Sequence, residues 1–229
     1  MSPLAAVDLR GVRIGVADYF LVDLDPEVER VTSAALDRLR AAGAIIVRAD
    51  VPDDVKFAQR VAATILNTER SEAIATFLAA YGTGISIEQL LAEAGPKLRA
   101  AFVFKPQGSF YDAMVAQRVK TTAAIRAHFA EQNIVALAFP PAMMPAPKIG
   151  EDGSMAVRGQ VVPIGTTMGR NVSLGSCASL ASLVLPAGLT SSGLPVGLEF
   201  DALSGNDRQL LALGVSLQRA LGAIPAPTA

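Results

Sequence analysis

The stretch VRIGVADYFLVDLDPEVERVTSAALDRLRAAGAIIV, residues 12–47, decides the fold of this chain. It opens with a short and mostly apolar run, which is typical of a strand that is buried on both faces. Asp25 followed by Pro26 is the order expected for the cap and the first residue of a helix. Gly43 ends the helical pattern, and an apolar run resumes at residues 44–47. A strand, a helix and a second strand in this order predict a parallel βαβ unit.

After this unit the sequence predicts a long helical region and then further strands. The helical pattern runs from residue 54 to about residue 129 and breaks at a Gly-Thr-Gly turn. Within it, Ser109 and Asp112 have the spacing of a capping box. The whole chain, residues 1–229, is therefore expected to form a single α/β unit. The remaining strands and the last helix are expected at 134–139, near Val184, at 195–200 and from Asn206.

The segment between residues 142 and 170 holds several prolines and glycines and few regular signals. It is too long for an ordinary connection in a compact domain, so we predict an irregular loop region that is either functional or mobile. Soft apolar side chains stand beside small polar ones here, a combination that suits a pocket for an aromatic amide. The alternative is a surface loop that covers the sheet edge. The candidate substrate-binding residues are Met143, Met144, Ile164, Thr166, Thr167 and Asn171.

The composition disfavours several classes of function. With 51% hydrophobic and 18% charged residues, the chain can fill a core. A net charge of −1 and the lack of any basic run argue against nucleic acid and anionic membranes as partners. No Cys/His cluster has metal spacing, and the turn after the first strand lacks the glycines of a dinucleotide site, so no metal or cofactor is expected. The sequence shows no signal peptide and no spanning segment, which predicts a cytoplasmic protein.

No catalytic residue is predicted in this chain. Ser191 and Ser192 precede Gly193 between two strands, which is typical of a hairpin turn. His128 lies near a helix end, where a histidine cation is favoured, and we expect it to have a structural role. Cys177 lies among serines and alanines, as a small buried residue often does. The remaining hypothesis, an independent hydrolase, would have to use Cys177 or His128.

Arg118 falls on the predicted apolar face of a helix, together with Val115 and Ile125. A buried guanidinium without a partner is very costly. We therefore expect a structural ion pair, in preference to a role in a pocket. The candidate partners are Glu69, Glu72 and Asp112.

The stretch NVSLGSCASLASLVLPAGLTSSGLPVGLEFDALSGNDRQLLAL, residues 171–213, resembles the C-terminal portion of the amidase signature family. Segments similar to LPAGLT, GLPVGLE and DR-x-LL follow in this order in its indoleacetamide and mandelamide hydrolase branch. LRGVRIGV, residues 9–16, extends the resemblance to nearly the whole chain. The chain departs from that branch at Ser179-Leu180-Ala181, where a Gly-x-Pro-like turn is usual. The resemblance implies a mixed, largely parallel sheet layered by helices, to which this chain contributes the later strands and one wall of the acyl pocket.

The resemblance also implies where the chemistry lies. The family uses two serines from a Gly-Gly-Ser-Ser-Gly-Gly stretch and a lysine from a Val-Lys-Asp-like segment, and this sequence contains neither stretch. The expected partner is therefore an N-terminal amidase half that carries the catalytic residues, and the expected substrate is a small amide. Strands and helices left uncovered by that half predict self-association or tight binding to it. The alternative from another class is a truncated, non-catalytic relic that acts as a binding module.

Overall fold

The computed structural model describes residues 4–103, 108–150 and 153–225. A five-stranded sheet has the strand order β2-β1-β3-β7-β6, and a two-stranded hairpin, β4-β5, lies apart from it. The strands are β1 (Arg13–Val16), β2 (Ile45–Arg48), β3 (Ala136–Phe139), β4 (Ser154–Val157), β5 (Gln160–Pro163), β6 (Ala181–Leu189) and β7 (Pro195–Ala202). The helices are α1 (Pro26–Ala41), α2 (Asp53–Lys56), α3 (Ala58–Ala80), α4 (Ile87–Glu93), α5 (Pro96–Val103), α6 (Gly108–Gln132), α7 (Ile164–Gly169), α8 (Ser173–Ala178) and α9 (Asp207–Leu221), with a short 3₁₀ helix at Asp18–Phe20.

The predicted βαβ unit is confirmed. β1 is parallel to β2 and to β3, so the first three strands of the sheet run in one direction. The Asp25 side chain caps α1 by accepting a hydrogen bond of 2.9 Å from the Glu27 N–H, and Pro26 is the first helical residue. β7 is antiparallel to β3 and β6 is antiparallel to β7. The mixed sheet that the resemblance implied is therefore present.

The sheet separates two apolar clusters. In β3, Ala138 faces the cluster formed with α1 and α9, whereas Leu137 and Phe139 face the cluster formed with α3, α6 and α8. This alternation follows from the two-residue period of a strand. Phe139 stacks on Phe20, with ring centroids 4.3 Å apart. Full burial of a side chain of this size stabilises the fold by about 1.5–3 kcal/mol. The central strand β3 contributes buried side chains to both clusters.

The helical region differs in detail from the prediction. The first long helix is interrupted at Phe57, between α2 and α3. Ser109 lies inside α6, so it is not the N-cap that the Ser109–Asp112 spacing predicted. A capping box is present at α4, where Ser86 accepts from the Gln89 N–H. The described part of α6 begins at Gly108, within one residue of the predicted start, which is the precision with which helix ends are defined.

The inward face of α6 is confirmed at Ile125, which is fully buried, and differs from the prediction at other positions. Val115 is exposed, and the buried positions include Met114 and Thr121. The Thr121 hydroxyl donates a hydrogen bond of 2.7 Å to the Asp54 carbonyl, so this polar residue faces α2. Counting apolar positions misplaced part of the face because a threonine with a backbone acceptor is readily buried.

The segment predicted to be irregular, residues 142–170, contains β4, β5 and α7 within its described part. β4 and β5 are joined by Arg158 and Gly159, which both have positive φ angles, 50° and 78°. Two consecutive positive angles define a tight two-residue hairpin turn. Met144, Val157 and Ile164 form a small apolar cluster of their own. None of the described helices combines the length and the apolar character that a bilayer crossing requires.

Candidate functional site

A cleft of about 420 Å³ opens between the turn after β1 and the segment that holds β4, β5 and α7. Clefts of roughly 300–1,000 Å³ are the usual size for small-molecule sites. The volume therefore suits a small molecule. The side chains that matter for its chemistry are those of Asp23, Gln59, Met143, Arg158, Thr167 and Arg170.

The structure brings two of the predicted substrate-binding residues together at this cleft, Met143 and Thr167. Met144 and Ile164 are buried in the small cluster around Val157, which itself lines the cleft. Met144 and Ile164 therefore pack against a residue of the cleft wall without lining the cleft themselves. The side chain of Thr166 lies outside the described residues.

Asn171 is completely buried and holds backbone in place. Its Nδ2 donates hydrogen bonds to the Phe20 carbonyl, at 3.0 Å, and to the Pro140 carbonyl, at 2.7 Å. Its Oδ1 accepts from the Arg170 Nε at 3.1 Å. The side chain that was predicted to bind substrate therefore fixes the two segments that follow β1 and β3, and it orients Arg170.

Arg170 is the main cleft residue that the sequence did not reveal. Its Nη2 donates to the Val22 carbonyl at 2.9 Å, and its guanidinium carbon lies 5.6 Å from the centre of the Tyr19 ring. Burial lowers the pKa of Arg170, with opposing effects from Tyr19 and Asp23. Among the described residues it forms no ion pair. A guanidinium with N–H groups to spare at a cleft is suited to binding a carbonyl or carboxylate oxygen.

Two other cleft residues have strained backbone. Asp23 and Arg158 have φ angles of 58° and 50°, which cost roughly 1–2 kcal/mol for a residue with a side chain. Arg158 is held in this conformation because its Nε donates to the Leu24 carbonyl at 2.8 Å and its Nη2 pairs with Glu29. Strain that surrounding contacts enforce is often found at binding sites. In the sequence, the Arg158-Gly159 pair is the feature that could have indicated this turn.

Arg118 does not form the ion pair that was predicted. Its Nε donates to the Cys177 carbonyl at 2.8 Å, and its Nη2 donates to the Ser179 hydroxyl at 3.0 Å. Glu69 accepts instead from the Tyr111 hydroxyl at 2.7 Å. The prediction was wrong because backbone carbonyls, which a sequence pattern does not show, can satisfy a guanidinium as carboxylates do. Arg118 joins α6 to the end of α8.

The candidate nucleophile and base of an independent hydrolase are both buried. Burial raises the pKa of the Cys177 thiol, which favours the unreactive protonated form. Burial also lowers the pKa of His128, against the raising effects of Glu131 and Asp50. The cation that we predicted from the helix end is therefore disfavoured by desolvation.

The serines between the last two strands form a turn, as predicted. The Gly193 N–H donates to the Thr190 carbonyl at 3.0 Å, and Gly193 has a φ of 83°. The Ser192 hydroxyl lies 3.0 Å from the Thr190 hydroxyl, so its nearest side-chain partner is another hydroxyl and not a base. In the part of the chain that the structure describes, no group of acidic, histidine or cysteine residues is placed to hold a metal ion.

A buried carboxyl pair on β7 was also missed. Burial is the main cause that raises the pKa of Glu199 to about 8, and the Asp201 carboxyl adds to it. Burial raises the pKa of Asp201 to about 6, although Ser182 and Glu199 lower it. Glu199 and Asp201 alternate with the buried residues Leu198 and Phe200. In a strand sequence, polar residues that alternate with apolar ones typically belong to a face that is exposed to water. The structure instead buries that face.

A mixed sheet layered by helices, with a cleft of small-molecule size beside it, defines a chain of the α/β class. Its membership is given by sequence: the chain belongs to the amidase family, whose sequence model matches residues 1–211. The indoleacetamide hydrolase of Agrobacterium vitis is 31% identical over 94% of this chain and 48% of its own length. The mandelamide hydrolase of Pseudomonas putida is 28% identical over 95% of this chain and 45% of its own length.

A solved crystal structure of an amidase has the same fold. It superposes with a TM-score of 0.75 at 23% identity, over 96% of this chain and 48% of that chain. The chain thus spans about half the length of the relatives that it matches. The resemblance seen in the sequence motifs is confirmed by both comparisons.

Proposed function

We propose that this chain is the C-terminal portion, or a separately made subunit, of an amidase that hydrolyses a small aryl carboxamide to carboxylate and ammonia. Residues 1–229 would form a single α/β unit that supplies sheet core and one wall of the acyl pocket. The observation that carries this proposal is the match to indoleacetamide and mandelamide hydrolases over 94–95% of the chain but only 45–48% of their length. The catalytic serines and lysine would come from the other half.

The cleft beside α7 is the part of this chain that would meet the substrate. Met143 offers an apolar surface to an aromatic ring, while the Thr167 hydroxyl and the Arg170 guanidinium offer donors to an oxygen. In the complete enzyme a serine of the partner half would attack the amide carbonyl, and ammonia would leave. Water would then release the acid from the acyl-serine. The residues of this chain bind and orient the substrate, and none of them takes part in bond breaking.

The test is an ammonia-release assay with phenylacetamide. The purified chain is measured alone and after co-expression with the half of the A. vitis indoleacetamide hydrolase that it does not match. We expect no release above the buffer rate from the chain alone and measurable release from the complex. Hydrolysis by the chain alone, lost in Cys177→Ser, would overturn the proposal in favour of an independent hydrolase.

The alternative function is a non-catalytic relic that binds a partner or a small molecule. The lack of the two catalytic segments in the sequence favours it as much as it favours a split enzyme. The neighbouring coding sequence discriminates between them: an upstream frame with the Gly-Gly-Ser-Ser-Gly-Gly stretch supports the enzyme. The cytoplasmic location stays a prediction.

A further inference from the structure

A second cavity, of about 480 Å³, lies at the end of the sheet where β1 and β3 begin and β7 ends. Its floor is formed by four buried side chains, those of Phe129, Ile134, Leu210 and Leu213. Phe129 and Ile134 belong to the apolar cluster on the α6 side of the sheet. Leu210 and Leu213 belong to the cluster on the α9 side. The cavity therefore lies where the two clusters meet around the end of the sheet.

This cavity is separate from the cleft beside α7. The cleft lies beyond the carboxyl ends of β1 and β3, where it is lined by Asp23 and Met143. The cavity lies before the amino ends of the same strands, where it is lined by Val12 and Val135. β1, with four residues, spans about 13 Å between them. No described residue lines both sites, so a ligand in the cavity would occupy a site of its own.

The wall of the cavity is apolar apart from two amides at its mouth. None of the described residues that line it is charged, and its polar side chains are those of Asn206 and Gln209. The mouth is completed by Val7 and Val135, which are 41% and 51% exposed. Asn206 precedes α9, but its side chain makes no capping hydrogen bond. Its amide can therefore both donate a hydrogen bond to a ligand and accept one.

The charges around the cavity disfavour an anion. A carboxylate that is buried without a cation beside it is costly. The start of α9 carries the positive end of the helix dipole, but Asp207 in the first turn opposes the approach of a negative group. The cleft, in contrast, is lined by Arg158 and Arg170. The two sites should therefore differ in preference, the cleft for a negative oxygen and the cavity for a neutral molecule.

The size of the cavity sets the size of its ligand. An apolar cavity of about 150 Å³ is enough to hold benzene. At about 480 Å³, this one has room for an aromatic ring that carries a short side chain. The buried Phe129 ring on its floor offers an aromatic contact, which favours such a ring over an aliphatic chain of equal size.

We propose that this cavity is a second ligand site, which binds a neutral aromatic molecule with one amide or hydroxyl group. The ring would lie against Phe129 and the two leucines of the floor, and the polar group would meet the Asn206 amide at the mouth. The site does not depend on the proposed amidase activity, because none of its residues lies at the cleft.

The test uses phenylacetamide and phenylacetate, which share a ring and differ in charge. Each is titrated into the purified chain, and binding is followed at each residue by amide NMR spectra. We expect phenylacetamide to shift the signals of residues 206–213 with a Kd of about 1 mM or lower. Phenylacetate should bind there at least about ten-fold more weakly, because its charge has no partner in the cavity.

Two variants place the ligand in the cavity. Ala212→Phe fills it and should abolish the shifts of residues 206–213. Ala127→Phe is the matched control, because Ala127 is exposed on α6 and does not line the cavity. Asn206→Ala leaves the apolar wall intact and should weaken phenylacetamide about five-fold, through the loss of one hydrogen bond. All three variants are checked for unchanged thermal unfolding, and Asn206→Ala decides if Ala212→Phe does not fold.

The remaining outcomes would overturn the site. They are shifts by phenylacetamide confined to the cleft, equal affinity of residues 206–213 for both compounds, or binding that survives Ala212→Phe. Signals of residues 206–213 that move with the concentration of the chain alone would assign the cavity to a second copy. Loss of phenylacetamide binding on co-expression with the unmatched half of the A. vitis indoleacetamide hydrolase would assign it to a segment of that half.

Discussion

Asn171 is the residue whose removal should damage this structure most clearly. Asn171→Ala would leave the Phe20 and Pro140 carbonyls without their buried donor, and we expect the free energy of unfolding to fall by about 1–3 kcal/mol. Urea denaturation measures the change. Asn206→Ala is the control, since the Asn206 side chain makes no capping bond at the start of α9. Equal losses in both variants would contradict the role assigned to Asn171.

The Glu199–Asp201 pair should make stability depend on pH. Their folded pKa values, about 8 and about 6, are raised above those of free carboxyls. A carboxyl with a raised pKa stabilises the fold fully at low pH, and this contribution is lost as pH rises through the folded value. We therefore expect the free energy of unfolding to fall between about pH 6 and pH 8 by more in the native chain than in Glu199→Gln.

The comparison with Glu199→Gln is needed because other buried groups titrate nearby. The lowered pKa of His128 has the opposite sign, since its contribution is lost as pH falls. Subtracting the two denaturation profiles removes this effect, which both proteins share. Identical profiles for the native chain and the variant would show that the pair does not titrate in this range.

At the scale of elements, α9 packs on β6 through a glycine. A Cβ atom at Gly214 would lie 2.3 Å from the Leu183 Cδ2, so Gly214→Ala requires the Leu183 side chain to move or the helix to shift on the strand. Overpacking of this kind costs about 1–3 kcal/mol. Gly108→Ala in α6 meets nothing within 4 Å among the described residues and should be neutral or slightly stabilising. Calorimetry on both variants checks the difference, and equal melting temperatures would contradict this packing.

The elements that sequence predicts well are those whose signals are local. The βαβ unit is set by Asp25, Pro26 and Gly43, each of which acts on its own neighbours. The inward face of α6 depends on an acceptor 67 positions away, the Asp54 carbonyl that binds Thr121. The Arg118 partners and the buried Glu199 face depend on equally distant contacts. Periodicity does not contain this information.

The same dependence on distant contacts explains why the sequence predicted only part of the cleft. Met143 and Thr167 were predicted to bind substrate because their side chains suit a pocket, and both line the cleft. Their contact with a substrate stays a prediction. Arg170 was not found, because its position depends on the carbonyl of Val22 and the ring of Tyr19. Asn171 was assigned to substrate because sequence cannot separate a buried amide that binds backbone from one that binds a ligand.

At the scale of the whole molecule, large apolar side chains are exposed on the helices that cover one sheet face. We expect the isolated chain to self-associate, because exposed large apolar side chains on neighbouring helices favour association wherever they form a patch. Analytical ultracentrifugation over a range of concentrations measures this. A monomer at high concentration that binds no hydrophobic dye would contradict the expectation. The residues concerned are Leu66, Phe77 and Tyr81 near α3 and Val115 and Val119 in α6.

The cleft should affect substrate binding in the complete enzyme. Thr167→Val keeps the shape of the side chain and removes its hydroxyl, and the loss of one neutral hydrogen bond should lower kcat/KM about five-fold. Val161→Thr makes the converse change at an exposed position of β5 and should have no effect. Equal effects of both substitutions would remove Thr167 from the substrate site.

Fluorophosphonate labelling followed by mass spectrometry tests the location of the nucleophile most directly. The purified chain should carry no label on any serine, including Ser191 and Ser192 in the β6–β7 turn. In the complex with the unmatched amidase half, the label should appear on that half alone. Stoichiometric labelling of a serine in this chain, with no other polypeptide present, would contradict the proposal that the attacking group lies outside it.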